Sequence, residues 1–345
     1  MRYQRLVLSF VSIMCLFVGI NYVIWKTVTE NLITDRHYVG GDLTRMGYIP
    51  GSKMYRHDTT DLPRRHMELK DYDGRHIDML TIGDSFSSGG GGGYNRFYQD
   101  YIASYFNFDV LNVNPPKDSD FITTTAILLN NGFLKQTRPR FVLIGATEIG
   151  WKEWSRRINF EQNISMTDLA KYPARNNYGK LPHVPFVNNG NIKFLLFNLL
   201  YNFSDNAVFG KVYKTKLTKH FFSVPEGNEL LYIPYRHIPS SKDVEQVNQN
   251  LNELSDRLNS LGIRLIFMPF ADKFTLYARW MEKKRFPESS FFEYLRPLPK
   301  RYLFIDTKAL LQEALERNEE DVYYADDTHS SWKASKIIFG NVRFE

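Results

Sequence analysis

Residues 80 to 86 read Leu-Thr-Ile-Gly-Asp-Ser-Phe, and residues 325 to 332 read Ala-Asp-Asp-Thr-His-Ser-Ser-Trp. A serine hydroxyl attacks an acyl carbon once a base takes its proton, and the base must be oriented by a third group. Ser85, His329 and one of Asp326 or Asp327 supply those parts, and nothing else in the chain offers as complete a set. Asp326 stands three residues before the histidine and Asp327 two, and the sequence leaves open which carboxylate meets the imidazole.

These groups need a frame that brings two distant stretches together. Ile77 to Ile82 is an apolar strand bounded by Gly74 and Gly83. Gly83 permits a sharp turn, so Ser85 is expected at the carboxyl end of that strand, with following backbone N–H groups as donors to an oxyanion. Asp109–Val113, Arg140–Gly145, Ile263–Met268 and Tyr302–Ile305 read as further strands. Helical spacing marks Tyr94–Phe106, Phe121–Phe133, the Val244–Leu258 face, Lys308–Glu316 and Trp332–Phe339. Alternation of helices with near-continuous apolar strands predicts an α/β domain whose mostly parallel sheet is buried on both faces.

Residues 151 to 240 break the alternation and are expected as an insertion over the sheet's carboxyl edge, where α/β sites gather. Within it Trp151 and Trp154 read either as a sugar-stacking wall or as core. Lys273 and Tyr277 follow a strand's carboxyl end; Lys273 is read either as a substrate contact or as a partner of Asp272 or solvent. The five glycines Gly89 to Gly93 lack the Gly-Lys-Ser/Thr ending of a phosphate loop. They read as a flexible rim admitting a bulky polymer, or as an unconstrained loop.

Composition sets the outer bounds. The 345 residues are 43% apolar with a net charge of +6, and no Lys/Arg cluster interleaved with aromatics argues for nucleic acid. One cysteine, Cys15, excludes an intrachain disulfide, and His57, His66 and His76 lack metal-site spacing, so neither metal nor cofactor is expected. Leu6 to Trp25 is an apolar run of about 20 residues, the length of a bilayer core. Arg2 and Arg5 precede it and Lys26 follows, which predicts a cytoplasmic N-terminus and an extracytoplasmic remainder. The expected organisation is a transmembrane helix over 1 to 26, a juxtamembrane stalk over 27 to 46 and a domain over 47 to 345. A cleaved signal peptide is the alternative, and it too leaves the candidate site outside the cytoplasm.

Gly83-Asp84-Ser85-Phe86 and Asp326-x-x-His329 resemble, in the same chain order, the first and last motif blocks of the SGNH/GDSL hydrolase superfamily. The serine motif, Pro269-Phe-Ala-Asp272-Lys273-Phe-Thr-Leu-Tyr277 and Tyr323-Tyr-Ala-Asp-Asp327-Thr328-His329-Ser-Ser-Trp332 resemble a narrower branch, the alginate O-acetyltransferase-like proteins of bacterial envelopes. In that branch the Asp-x-His motif corresponds to Asp327 and His329 and normally precedes the serine motif; here the order is reversed. The likeness covers roughly residues 77 to 150 and 240 to 340.

The resemblance implies a three-layer SGNH fold and acyl transfer through Ser85 onto an envelope or secreted polysaccharide. It also implies a multi-pass membrane acyltransferase partner that passes the acetyl group across the membrane. Two blocks depart from the superfamily pattern. Its Gly-x-Asn-Asp block reads Gly145-Ala146-Thr147-Glu148 here, and its second-block glycine is replaced within Asn112-Val113-Asn114-Pro115. Thr147, Asn114, the Ser85 N–H and a glycine-run N–H are then the candidate oxyanion donors. An esterase or deacetylase would use the same triad with water as acceptor. A non-catalytic glycan-binding or assembly protein on the same fold would fit the altered block.

Overall fold

The computed structural model describes residues 2–30, 41–49, 54, 56, 58, 60–116, 119–169, 171, 185–188, 190–207, 210–235 and 237–344. Residues 31–40 of the expected stalk lie outside them. The chain begins with helix α1 (Arg2–Ile24), continued by a π-helical turn over Trp25–Thr29. No α1 side chain is buried, and the helix is long and apolar enough to cross a membrane. Helix α2 (Asp42–Gly47) follows.

The apolar runs then form strands β1 (Met67–Glu68), β2 (Met79–Gly83), β3 (Val110–Val113) and β4 (Phe141–Thr147). Between them lie α3 (Tyr98–Phe106) and α4 (Phe121–Asn130). Beyond β4 come α5 (Gly190–Tyr201), the hairpin β5 (Tyr213–Lys216) and β6 (Glu229–Tyr232), and α6 (Ser241–Asn259). Strands β7 (Arg264–Phe270) and β8 (Leu303–Phe304) precede α7 (Thr307–Glu316) and α8 (Trp332–Asn341).

Six strands form one sheet in the order β1-β3-β2-β4-β7-β8, every pair parallel. Every residue of β2, β3 and β4 is buried, which is why these strands read as near-continuous apolar runs rather than alternating ones; the polar Thr81 and Asn112 among them bond to each other at 3.0 Å. One group of helices packs α6 against α4 and β7; the other packs α8 against α3 and α7. Helix α6 shows how sequence sets this packing. Ser240 and Asp243 form a capping box at its start, and Val244, Val247, Leu251, Leu254 and Leu258 form a fully buried stripe.

The topology also marks where a site belongs. From β2 the chain moves to β3 on one side and then to β4 on the other, so strand order reverses at β2. Helices leave on opposite faces there, and a crevice opens at the carboxyl end of that strand. The residues from 151 to 240 include the β5–β6 hairpin. This hairpin packs just past the carboxyl end of β7, with the Tyr232 and Phe274 rings stacked at 5.0 Å.

Strands β1, β5 and β6 are not among the strands expected from the sequence. Strand β1 joins the sheet edge against β3, with Asn112 and Asn114 amides donating to Glu68. Helix α2 falls in the expected stalk, yet Thr44 N–H donates to the Asp326 carbonyl at 3.2 Å. Gly41 and Thr44, ahead of residue 47, are thus bonded to Asp326.

Candidate active site

Ser85 lies two residues beyond β2, at the switch point. The turn carrying it is closed by short bonds. Ser88 N–H donates to the Asp84 carbonyl at 3.2 Å, and Gly90 N–H to the Ser85 carbonyl at 2.7 Å. Asp84 fastens the turn to the sheet: one carboxylate oxygen accepts from Phe86 N–H at 2.9 Å, the other from Thr147 N–H at 2.8 Å and the Thr147 hydroxyl at 2.6 Å. A Cβ at Gly83 would stand 1.9 Å from the Gly145 carbonyl oxygen, so the glycine is needed for close strand packing.

The second stretch meets this turn. His329 Nε2 lies 2.7 Å from Ser85 Oγ, and His329 Nδ1 lies 2.6 Å from Asp327 Oδ1. Asp327 Oδ1 also accepts the His329 backbone N–H at 3.0 Å, so a two-residue Asx turn bends the carboxylate back onto the ring. Ser85 is half-buried, and His329 and Asp327 are nearly enclosed. Burial, the largest single influence on each, opposes both charges, but the charged neighbours together outweigh it. The imidazole is raised above its ordinary value, chiefly by Asp327 and then by Asp42 and Asp84. His329 and Arg56 hold the Asp327 carboxyl below its ordinary value.

Asp326 faces the other way. Its carboxylate accepts from Gly41 N–H and Met54 N–H, each at 3.1 Å, and pairs with the Arg56 guanidinium at 2.8 Å. Arg56 also donates to the Gly91 carbonyl at 2.9 Å and lies 4.5 Å from the Tyr324 ring centre. Of the two aspartates, Asp327 therefore orients the imidazole, while Asp326 fastens Gly41, Met54 and Arg56 to the loop.

Asp42, absent from the sequence reading, stands beside the triad. Its carboxylate accepts from both the backbone and the hydroxyl of Thr328, its N–H donates to Asp327 Oδ2 at 3.1 Å, and one oxygen lies 3.9 Å from His329 Nδ1. Burial first, and repulsion from Asp327 second, push the Asp42 carboxyl up. Asp42, Asp327 and His329 offer donor atoms within 4.8 Å of one another, a spacing a metal could use. Here those atoms are committed to Thr328 and to one another.

Six other sequence candidates are engaged elsewhere. Lys273 is 1% exposed, and its ammonium donates to the carbonyls of Tyr324, Ala325 and Asp327 at 2.7, 2.9 and 3.1 Å. Burial pushes it down to about 8, against the pull of Asp326 and Asp327. It is a buried brace for the histidine loop, neither a substrate contact nor a partner of Asp272. Tyr277 is core, edge-on to Phe221 at 5.5 Å and Tyr323 at 6.3 Å. The Thr147 hydroxyl is spent on Asp84, and the Asn114 amide points to Glu68 at 3.3 Å. Trp154 is likewise core, edge-on to Phe267 at 5.4 Å, and half-buried Trp151 packs against the same cluster. Glu148 is buried behind Thr147, pushed up to about 8 by burial and by Asp272.

The first part of the glycine run is packed against the site, while Gly93 is exposed. Gly89 and Gly90 are buried, and Gly89, Gly92 and Gly93 take φ of 68°, 72° and 86°. A Cβ at Gly90 would stand 2.2 Å from His329 Nε2, and one at Gly91 would stand 2.7 Å from the Tyr324 ring. Glycine there lets the backbone lie directly against the imidazole. Size does not single out this site. A cleft of about 810 Å³ lined by Arg157, Phe160, Glu253 and Arg257 shares no residue with it. The cavity beside His329, walled by Phe86, Gly90, Tyr98 and Phe270, holds about 10 Å³. The arrangement itself can deprotonate a hydroxyl and hold the resulting imidazolium against a carboxylate. Comparison of the chain with models of known families, with curated proteins and with solved structures finds no match to any of them.

Proposed function

We infer that the chain is a membrane-anchored, extracytoplasmic serine acyltransferase of SGNH type that moves an acetyl group to a hydroxyl of a cell-envelope or secreted polysaccharide. The observation that carries this reading is the continuous chain from Ser85 Oγ through the His329 ring to Asp327, at 2.7 and 2.6 Å, set at the strand-order switch point. In the proposed reaction Ser85 Oγ attacks the acyl carbon of a donor while its proton passes to His329 Nε2. The donor's leaving group departs with that proton. A sugar hydroxyl then gives its proton to His329, attacks the acyl-serine and releases Ser85. None of the hydrogen bonds among the described residues uses the Ser85 N–H, which makes it the first candidate donor to the oxyanion. The acetyl group, the polysaccharide and a multi-pass acyltransferase supplying the donor rest on motif likeness and are part of the proposal. The orientation of α1, with Arg2 and Arg5 on the cytoplasmic side, rests on the flanking charges and is likewise part of the proposal.

The test uses the full-length chain in detergent. Incubation with p-nitrophenyl acetate is expected to leave an acetyl group on Ser85, seen by mass spectrometry, and to release p-nitrophenol. Added oligosaccharide should speed turnover if sugar is the acceptor; equal rates with and without it point to water and hence to an esterase. Lack of an adduct, together with equal turnover by wild type and Ser85→Ala, removes acyl chemistry from this site.

The close packing at Gly90 gives a second expectation. Gly90→Ala puts a methyl group into the imidazole ring and must push it off Ser85. Misplacement of about 1 Å costs on the order of a hundredfold in rate. The Gly90→Ala enzyme should therefore lose about that much activity while its thermal midpoint stays near that of wild type. Activity within a few-fold of wild type would show that the ring does not need this position.

A further inference from the structure

Helix α5 is apolar on both sides, but the protein covers only one. Phe197 and Tyr201 are buried against Tyr48, Ile49 and Ala207. On the opposite face Ile192, Leu195, Leu196, Leu199 and, just beyond the helix, Phe203 are 39 to 84% exposed. Their spacing is that of one helical stripe. A continuous apolar stripe left bare in water is costly and marks a contact surface.

The position of α5 says what covers it. Its first turn is fastened to the outer end of α1: Asn191 Nδ2 donates to Asn21 Oδ1 at 2.9 Å and to the Phe186 carbonyl at 3.1 Å. Asn21 Nδ2 donates to that same carbonyl at 3.3 Å. The Phe186 ring packs with Tyr22 and Trp25 at 6.2 and 5.8 Å, so the contact lies at the aromatic, Lys26-bearing end of the apolar run. Aromatic rings and a basic residue at that point are what a membrane–water boundary selects. A short helix bound there, with a bare apolar stripe and an exposed Lys193 beside it, matches an interfacial helix.

We propose that α5 is a membrane-docking helix whose Ile192, Leu195, Leu196, Leu199 and Phe203 face enters the surface of the same bilayer that α1 crosses. The occupant of the stripe is lipid. The proposal rests on the anchoring part of the preceding reading and is independent of its acyl chemistry. It has a structural corollary. Asn198 donates to the Tyr48 carbonyl at 3.0 Å, and Tyr48 caps α2, whose other end bears Asp42 on the histidine loop. Docking α5 thus holds the candidate site at a fixed height above the membrane.

The test reconstitutes the full-length chain in phosphatidylethanolamine/phosphatidylglycerol vesicles, with an environment-sensitive NBD fluorophore on a single cysteine. Wild-type Cys15 reports α1. Leu199→Cys and Leu195→Cys, each with Cys15→Ser, report the stripe, and Glu253→Cys with Cys15→Ser reports the exposed side of α6. The replaced stripe residues are exposed, so no core contact is lost. Lipids spin-labelled near the headgroup are expected to quench the 195 and 199 probes roughly threefold more than the 253 probe, with blue-shifted emission. Deep spin labels are expected to quench the Cys15 probe. Water-like, unquenched probes at 195 and 199 beside a quenched Cys15 overturn α5 docking and leave the anchor standing. Blue-shifted but unquenched stripe probes show protein cover by a second copy and overturn lipid as the occupant. An unquenched Cys15 overturns the anchor and α5 docking together, and leaves the Ser85 adduct experiment unaffected.

Discussion

Ser85→Ala and His329→Ala are each expected to lower acetyl-ester turnover by about 10⁴- to 10⁶-fold, and the double variant by no more than either alone. The non-additivity is the informative part. If the 2.7 Å contact between Ser85 Oγ and His329 Nε2 is the route by which the hydroxyl loses its proton, removing either group disables the same step. The second substitution then has nothing left to take away. Two independent contributions, such as substrate contacts made separately by the hydroxyl and the ring, would instead multiply. Single-turnover rates on the full-length enzyme, with thermal unfolding to show that each variant remains folded, make the comparison. A double variant far slower than both single variants would show that Ser85 and His329 do not work as one unit.

The parts of this arrangement that sequence reading reached are those written in local pattern. Strands β2, β4 and β7 are near-continuous apolar runs, the signature of a strand buried on both faces. Ser85 and His329 were legible because each sits where pattern changes to polar turn chemistry. The choice between the aspartates was also within reach. An aspartate two residues before a backbone N–H makes an Asx turn, and Asp84 does so with Phe86 just as Asp327 does with His329. Spacing alone treated Asp326 and Asp327 alike; turn geometry separates them.

Other features had no local signal. Asp42 and Arg56 reach the histidine loop across about 270 to 290 residues of chain, and such long-range pairing leaves no mark at either end. Lys273 misled for a different reason. Lysine is ordinarily at the surface, so its place after a strand suggests a substrate contact or a pairing with Asp272 or solvent. In fact its three bonds to loop carbonyls satisfy the buried ammonium, and the carbonyls of residues 324, 325 and 327 are gathered around it. The glycine run was read as freedom, whereas Gly90 supplies absence of bulk. In each case what counted was the group on the far side of the contact, which composition does not record.

Asp327→Asn is expected to cost about 10⁴-fold in turnover near neutral pH, because an amide in place of the carboxylate favours the wrong imidazole tautomer and no longer stabilises the imidazolium. It should also move the pH profile, and the direction follows from the charges. Burial lowers the His329 pKa, but the carboxylates of Asp327, Asp42 and Asp84 raise it, and the balance is upward. The general base must be neutral to accept the Ser85 proton, so wild-type activity should rise along a limb lying above the ordinary imidazole value of about 6.5. Removing the largest upward contribution shifts that limb to lower pH. Stability follows the same linkage. A raised histidine stabilises the fold below its unfolded-state value and loses that contribution as pH rises through the folded-state value. A depressed Asp327 stabilises above its own unfolded-state value and loses the contribution as pH falls through the folded-state one. The stability gap between wild type and Asp327→Asn should therefore be widest in mildly acidic to neutral solution and narrow toward either extreme. Asp326→Asn is the control: it weakens the Arg56 clamp but leaves the 2.6 Å contact between His329 and Asp327 in place, so its rate limb should stay near that of wild type. A limb that moves with Asp326→Asn and stays fixed with Asp327→Asn would reverse the roles assigned to the two carboxylates.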